Sequence, residues 1–338
     1  MKSKNIFKAA VTVILALAMM MSLAGCGDYA AETLITNTKN VTEEFDRILI
    51  HTTTSDVYFQ PSTDGKVSVV CRESKKVYHN VTVEAGTLVI GEIDTRSDIE
   101  KLKTNLSLFT RTIIVYLPLG EYEALDIELD TGNVDISDGY KFASVEIETD
   151  TGNVDFESDA AVLEINTDTG IIKVNDITAE SIKLDTDIGD VTMEDITADR
   201  ITVDTDTGDI SILYSTVKET LTATTDAGKI QLTEIGCNKL SVTNETGKTV
   251  LHSLIASEEI TVNSNVGDIK LHYSDSPLID LKTTVGSVNA TILSDKQFEV
   301  STDVGKINVP ASAGEEVCKI STEVGDITVI VEKIITVE

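Results

Sequence analysis

A glycine-centred frame recurs eleven times between residues 125 and 338, at intervals of 18 to 20 residues. The copy around Gly208 reads Ile201-Thr-Val-Asp-Thr-Asp-Thr-Gly208-Asp-Ile-Ser-Ile212. The other glycines of this series are Gly132, Gly152, Gly170, Gly189, Gly228, Gly247, Gly267, Gly286, Gly305 and Gly325. A fixed period of this length is typical of stacked repeat folds, in which each repeat is one supersecondary unit.

Each copy of the frame contains two short segments with alternating apolar residues. They lie seven and five residues before the glycine, as Ile201 and Val203 do, and two and four after it, as Ile210 and Ile212 do. This period of two predicts strands with one buried face. A third apolar anchor follows in several copies: Ile177, Ile196, Ile235 and Leu254.

Two further positions of the frame have expected structural roles. The glycine is expected to supply a backbone bend that a side chain would resist, for which a positive φ is one means. Thr lies three residues before the glycine in eight of the eleven copies, from Thr149 to Thr322. The stacked Thr hydroxyls are expected to bond one another between copies.

The frame predicts an all-β fold, a single-stranded parallel β-helix of about eleven coils. One coil cannot bury its apolar face alone, whereas stacked coils pair in parallel and share a core. At ~4.8 Å per strand the rod would be roughly 50 Å long. Right-handed crossovers favour a right-handed solenoid, although turns this short also permit a left-handed one. A β-sandwich is the alternative, but it would not repeat one residue type at one phase eleven times. Ile327–Val331 would then be an exposed last strand.

Residues 1–25 form a predicted secretory signal. They have a basic start, an apolar run from Ala9 to Met21, and small residues before Cys26. Leu23-Ala24-Gly25-Cys26 resembles the bacterial lipoprotein processing box, which implies cleavage before Cys26 and lipid on its thiol. An ordinary signal peptide with an incidental cysteine is the alternative. Residues 26–44 would be a short polar tether to the extracytoplasmic face of the cell membrane.

Residues 45–120 begin with a degenerate copy of the frame, in which Ser55 takes the position of the glycine. The rest of this stretch has strand-like runs separated by turn-rich pieces. We expect an N-terminal β cap at 45–120 that covers the first of the solenoid repeats at 121–338, since an uncovered coil would expose unpaired strand edges. A separate β-domain is the alternative.

These features together resemble a known bacterial family. The degenerate first coil, the Tyr116-Leu117-Pro118 strand and the repeated Asp-Thr-Gly-Asn-Val coils are similar to the adhesin-like β-solenoid lipoproteins, whose biochemical role is unassigned. The resemblance covers about residues 45–338 and implies a β-helical fold and a place in the cell envelope. It transfers no catalytic residues. Later coils depart from the pattern, as at Thr284-Val-Gly286.

Composition restricts the partners that this surface can have. The net charge of −30 would repel nucleic acid and anionic lipid and would favour cations and basic partners. Cys71, Cys237 and Cys318 remain beyond Cys26, and an odd number of thiols does not indicate a disulfide framework.

Acidic residues occupy the position two before the glycine in seven consecutive copies, from Asp130 to Glu245. Stacking would place these carboxylates about 5 Å apart. Hard cations bind oxygen ligands, so one interpretation of these residues is a column of weak Ca²⁺ sites. A solvated edge, where each Asp bonds amides of its own turn, is the other. The predicted Ca²⁺ column is Asp150, Asp168, Asp187, Asp206 and Asp226, and no other cofactor is expected.

His252 and His272 both lie five residues after their glycines, so we expect them to be neighbours on adjacent coils. A two-histidine metal site lacks a third ligand at a matching phase, and an exposed pair is the alternative.

The sequence favours a non-catalytic, lipid-anchored interaction module of the cell surface. Its expected partners are the membrane, through the lipid, and an unknown protein or cell-surface partner, with no nucleic acid. An envelope signalling or stress accessory that binds another membrane protein is the alternative. A carbohydrate-active β-helix enzyme is less favoured, because the repeats contain one arginine, Arg200, and few rings to hold a sugar.

Overall fold

The computed structural model describes residues 33–100 and 111–333. The chain divides into two compact units, 1–34 and 35–338. The predicted signal and Cys26 lie outside the described residues. The second unit is an all-β parallel solenoid of about ten turns, so the predicted fold class is confirmed.

The strands fall into an N-terminal group, a regular middle and a C-terminal group. The N-terminal strands are β1 (Ile35–Val41), β2 (Arg47–Pro61), β3 (Val67–Glu73), β4 (Val77–Glu84), β5 (Thr87–Asp94) and β6 (Arg111–Leu117). The middle strands are β7 (Glu121–Thr131), β8 (Val134–Ile136), β9 (Lys141–Thr151), β10 (Val154–Phe156), β11 (Asp159–Thr169), β12 (Ile172–Asn175), β13 (Thr178–Ile188), β14 (Val191–Glu194), β15 (Thr197–Thr207), β16 (Ile210–Ala227), β17 (Ile230–Thr246), β18 (Thr249–Val266) and β19 (Ile269–Ser274). The C-terminal strands are β20 (Leu278–Val285), β21 (Val288–Ile292), β22 (Gln297–Val304), β23 (Ile307–Asn308), β24 (Val317–Val324) and β25 (Ile327–Val331).

Residues at the same phase of successive coils stack on one another. Val203 in β15 is the parallel register partner of Leu184 in β13 and of Ala223 in β16. All three side chains are fully buried. The predicted third anchors are buried as well: Ile177, Ile196, Ile235 and Leu254. The core is therefore a continuous column, filled by the inward phase of each coil.

The glycine is required by the close approach of successive coils. A Cβ on Gly208 would lie 1.9 Å from the carbonyl oxygen of Gly189, and a Cβ on Gly228 would lie 1.8 Å from that of Gly208. The glycine hydrogen that replaces the Cβ points at this oxygen, as in a Cα–H···O contact. The expected positive φ is not the general reason, because Gly208 and seven others of the series lie outside the left-handed region.

Seven of the eight threonines bond a glycine carbonyl of an adjacent coil, so the expectation that they bond one another is wrong. The hydroxyl of Thr205 donates to the carbonyl oxygen of Gly189 at 3.1 Å, and that of Thr225 donates to Gly208 at 3.2 Å. The backbone ladder at this corner uses the carbonyls on either side of the glycine. The hydroxyl therefore supplies the donor that the glycine carbonyl itself needs.

At the N-terminal end, β2 lies between two neighbouring layers that follow it in the sequence. Strands β7 and β8 pair in parallel with one edge of β2, and β5 and β6 pair in parallel with the other. Strand β4 pairs antiparallel with β5, and β3 pairs antiparallel with β6. Strand β1 pairs antiparallel with β3 from Ile35 to Val41, so this part of the expected tether is instead a strand.

At the C-terminal end, the last two coils exchange places. Strands β24 and β25 lie between β20–β21 on one side and β22–β23 on the other. The expected exposed last strand is therefore internal, and Ile327 is fully buried. Strands β22 and β23 form the physical end, where 63% of Val304 and 47% of Ile307 are exposed.

A buried lysine joins the connections that make this exchange. Lys296, which is 0% exposed, precedes β22. Its Nζ pairs with Asp275 at 2.6 Å and with Glu316, and donates to the carbonyl oxygen of Ser276 at 2.7 Å. These partners precede β20 and β24, so one ammonium group holds three connections together.

We predict that Gly208→Ala lowers the free energy of unfolding by ~2 kcal/mol or more, because its methyl group would overlap the carbonyl of Gly189. Gly236→Ala is the matched control, since nothing lies within 4 Å of a Cβ at that position of β17. Urea unfolding of both variants measures the difference. Equal stability of the two would contradict the close-approach explanation.

Candidate functional site

The predicted Ca²⁺ column lies at the exposed C-terminal ends of strands on adjacent coils. The residues before Asp187 and Asp206, which are Thr186 and Thr205, are register partners on adjacent strands. All five predicted aspartates are exposed. Among residues 33–100 and 111–333, the column supplies no three acidic ligand atoms within 4.8 Å of one another. Ca²⁺ binding by the column stays a prediction.

Acidic and amide side chains one residue after the glycine have a structural role that the sequence analysis did not identify. Asp190 accepts a hydrogen bond from the backbone N–H of Asp209 at 2.8 Å, and Asp209 accepts one from Lys229 at 2.7 Å. Asn133 accepts in the same way from Asn153 at 3.0 Å. The backbone amide of each turn thus donates to the side chain one residue after the glycine of the preceding coil. It does not donate to the acidic column two residues before the glycine.

The acidic face holds like charges close together. Burial raises the pKa of Asp204, and the carboxylates of Asp185 and Asp206 raise it further. Burial likewise raises the pKa of Asp130, with Asp150 on the next coil as the second cause. The fold therefore opposes ionisation of these carboxyl groups. A bound cation would relieve the repulsion between their charges.

A second corner of the coil has a left-handed residue six positions after the glycine. Its φ lies between 50° and 56° in six consecutive coils: Asp176, Asp195, Tyr214, Glu234, Ser253 and Tyr273. None of these is glycine, and two are bulky residues for which this conformation is unusual. The bend directs the next residue, such as Ile196 or Leu254, into the core. The mixed residue types at this position gave no signal in the sequence.

His252 and His272 are register partners on β18 and β19, which confirms that they are neighbours. The His252 ring lies edge-on to Tyr273, with 5.7 Å between the ring centroids. Burial lowers the pKa of His272, and the charge of Lys270 lowers it further. Neither histidine belongs to a three-ligand group among the described residues.

Lysines surround this pair and form what we call the basic patch: Lys229, Lys248, His252, Lys270 and His272. The charge of Lys270 is the main cause that lowers the pKa of Lys248. Within the described chain, neither of these two lysines has an ion pair within 4.0 Å.

Elsewhere on the repeats, several basic side chains pair with an acid on the neighbouring coil. Lys183 lies 2.6 Å from Glu164. Two further pairs are Lys218–Asp199 at 2.7 Å and Arg200–Glu219 at 2.8 Å. The basic patch differs from these pairs because Lys248 and Lys270 act on each other as like charges.

A buried polar cluster lies where β2, β3 and β4 meet. His79 Nδ1 lies 3.0 Å from Glu73 Oε2, and His79 Nε2 lies 3.2 Å from Ser55 Oγ. Cys71 completes the cluster, and its ligand atom and those of Glu73 and His79 all lie within 4.8 Å of one another. Burial lowers the pKa of His79 and raises that of Cys71 to about 12.

These residues are not among the predicted site residues, although their positions in the strands carry a signal. Val69, Cys71 and Glu73 share the inward phase of β3, and His79 shares that of β4. A carboxylate and an imidazole at core phases are costly unless they are partnered. Ionisable side chains at inward positions of β3 and β4 are therefore the feature that identifies this cluster in the sequence.

The order Ser55, His79 and Glu73 has the hydrogen-bond connectivity of a serine hydrolase triad. Ser55 is 0% exposed, however, and it occupies the glycine position of the first coil. A substrate cannot reach its hydroxyl, so we assign no nucleophile to this cluster.

A cleft of about 400 Å³ borders the cluster. Asn37, Glu73 and His79 contribute to its wall. The amide of Asn37 donates to Glu73 Oε1 at 2.5 Å, so strand β1 closes one side of the cluster. Two of the three ligand-type residues thus border the cleft, although the His79 side chain is 0% exposed and the Glu73 side chain is 4% exposed.

No helix in the described parts of the chain has the length and apolar character needed to cross a bilayer.

We predict that, if the aspartate column binds Ca²⁺, calorimetry will detect saturable sites that disappear in the variant Asp168→Asn, Asp187→Asn, Asp206→Asn. Oxygen ligands on adjacent coils supply the attraction, and the triple substitution removes three of them. Heat that only scales with ionic strength would indicate charge screening and contradict specific binding.

Solved structures similar to this chain include those of three bacterial proteins. A provisionally named adhesin of Parabacteroides distasonis has 13% identity and a TM-score of 0.46, over 88% of this chain and 97% of that one. A provisionally named adhesin of Bacteroides fragilis has 15% identity and a TM-score of 0.36, over 89% and 98%. A provisionally named lipid binding protein of Parabacteroides distasonis has 14% identity and a TM-score of 0.40, over 87% and 96%. At TM-scores this low, neither fold nor function is inferred from these proteins.

Comparison with curated proteins finds no match to the chain. A family match is found for residues 45–236, which include the first coil, the strands beside it and the first half of the repeats. Because this match spans more than half of the sequence, the protein belongs to the family described as Toastrack DUF4097.

Proposed function

We propose that the protein is a non-catalytic interaction module, anchored by lipid at Cys26 to the extracytoplasmic face of a bacterial membrane. The observation that supports it is the parallel register of the coils, which β13, β15 and β16 keep from Ile201 to Thr205 of β15. Register places outward side chains of equal phase in columns at the strand spacing of ~4.8 Å. Such a surface suits contact with an extended partner that itself repeats.

We assign the contact to the basic patch. Lys248 and Lys270 lie close enough to repel each other and have no acidic partner within 4.0 Å among the described residues. Asp268 offsets only part of this repulsion, since the pKa of Lys248 remains lowered, and a bound anion would offset more of it. The partner that fits is an anionic polysaccharide of the cell surface, because a polymer can follow several coils.

We predict that the mature protein fractionates with membranes and that Cys26→Ala releases it, because the lipid attached to this thiol would be the anchor. Immunoblotting of membrane and soluble fractions measures the change. Cys237→Ala is the matched control, since Cys237 is buried in the solenoid and offers no lipidation site. Membrane retention of Cys26→Ala would refute the anchor.

We predict that the protein binds immobilised dextran sulfate at low ionic strength despite its net charge of −30. Lys248→Glu with Lys270→Glu should weaken this binding more than about tenfold, since a lysine near an anionic surface contributes ~1 kcal/mol.

The matched control is Lys183→Glu with Lys239→Glu, which changes the net charge equally but alters lysines that already have acidic partners. Equal loss in both variants, or no retention of the unmodified protein, would contradict the assigned contact.

A further inference from the structure

We propose that Cys71, Glu73 and His79 form a binding site for a divalent transition-metal ion of the Zn²⁺ type. The proposed interaction module makes no use of these residues, and the inference does not depend on it. Thiolate, imidazole and carboxylate are the three ligand types that Zn²⁺ takes in proteins. Mixed sulfur and nitrogen ligation also disfavours the hard cations Ca²⁺ and Mg²⁺.

The geometry requires little movement. The three ligand atoms already lie within 4.8 Å of one another. In a tetrahedral zinc site, ligand atoms at about 2.0–2.3 Å from the metal lie roughly 3–4 Å apart. Two ligands share one strand, β3, and His79 lies on the next strand in the sequence, β4. Strand β3 is paired with β6 and strand β4 with β5, so the sheet fixes the position of both strands that supply ligands.

The ligands occupy core positions where other strands have aliphatic residues. Glu73 is 3% exposed and His79 is 3% exposed. Elsewhere in the solenoid, inward phases hold side chains such as Val203 and Leu184, or a Thr bonded to a glycine carbonyl. An acid and a thiol side by side in a core gain little from each other, whereas both gain from a shared cation.

The surrounding groups fit a metal on Nδ1 of His79. Nε2 faces Ser55 Oγ at 3.2 Å, so an Nε2–H would donate to this hydroxyl and leave Nδ1 to bind the metal. Ser55 Oγ also lies 3.2 Å from Thr52 Oγ1. The second carboxyl oxygen of Glu73 accepts from Asn37, which orients the carboxylate.

Charges beyond the ligands also act on the site. Glu92 favours a cation near His79, and Arg111 opposes it. Glu92 is held in place by a hydrogen bond from Thr52 at 2.9 Å. The metal would enter through the cleft lined by Glu73 and His79, and the proton of the Cys71 thiol would leave to solvent as the thiolate binds the metal.

The competing explanation is a hydrogen-bonded Glu73–His79 pair with an unrelated thiol nearby. The two explanations differ in the thiol, because only a metal site requires a bond to sulfur. The chain has four cysteines, and Cys237 and Cys318 are buried thiols without a histidine–glutamate pair. They provide matched controls.

The test is a Co²⁺ titration of the full-length chain carrying Cys26→Ser, Cys237→Ser and Cys318→Ser, in which Cys71 is the only thiol. We expect one Co²⁺ per chain and a thiolate-to-cobalt charge-transfer band that Zn²⁺ abolishes on competition. Adding His79→Gln should remove the band, whereas adding His252→Gln and His272→Gln should leave it unchanged. Zn²⁺ should also raise the thermal unfolding midpoint of the single-thiol protein.

Absence of a charge-transfer band in the folded single-thiol protein would overturn the proposal, and this arm requires no change to the site itself. A band that persists after His79→Gln would overturn the assignment of His79 as a ligand. Because neither membrane fractionation nor dextran sulfate binding enters the test, its failure would be distinct from failure of the proposed function.

Discussion

The solenoid depends on the contact between the glycine carbonyl of one coil and the glycine Cα of the next. At Gly208 this contact leaves no space for a methyl group. The Thr205 hydroxyl satisfies the carbonyl of Gly189, and Asp190 bonds the next coil at the following residue. Backbone and inward groups thus fix the stack at this corner. Outward side chains are therefore free to vary for contact with partners.

At both ends of the solenoid the strands stack out of sequence order, whereas in its middle they stack in sequence order. Strand β2 near the start and strands β24 and β25 near the end are each paired on both edges. Removal of β2 or of β24 and β25 from the stack must therefore break two ladders. Antiparallel strands cover the N-terminal end, which limits edge-to-edge association there. The C-terminal end exposes Val304 and Ile307 beside β22 and β23.

Two groups of side chains differ from their surroundings: the basic patch and the buried polar cluster. Several basic side chains of the repeats pair with acids across coils, but Lys248 and Lys270 repel each other. The core is aliphatic or hydrogen-bonded to glycine carbonyls, but Glu73 and His79 form a polar cluster beside a thiol. Such departures cost stability and are where function is expected. They lie in different layers, so the proposed contact with an anionic partner and the proposed metal site are separable.

The sequence by itself determined the period, the inward phase and the stacking of Val203 on Leu184, because alternation within a strand reports which face is buried. It also placed His252 beside His272, since equal phases stack. The tertiary structure alone decided the order of the last coils, because the frames around successive glycines are interchangeable as pairing partners. It alone brought β2, β3 and β4 together at His79, since contacts between segments far apart in the chain leave no periodic trace.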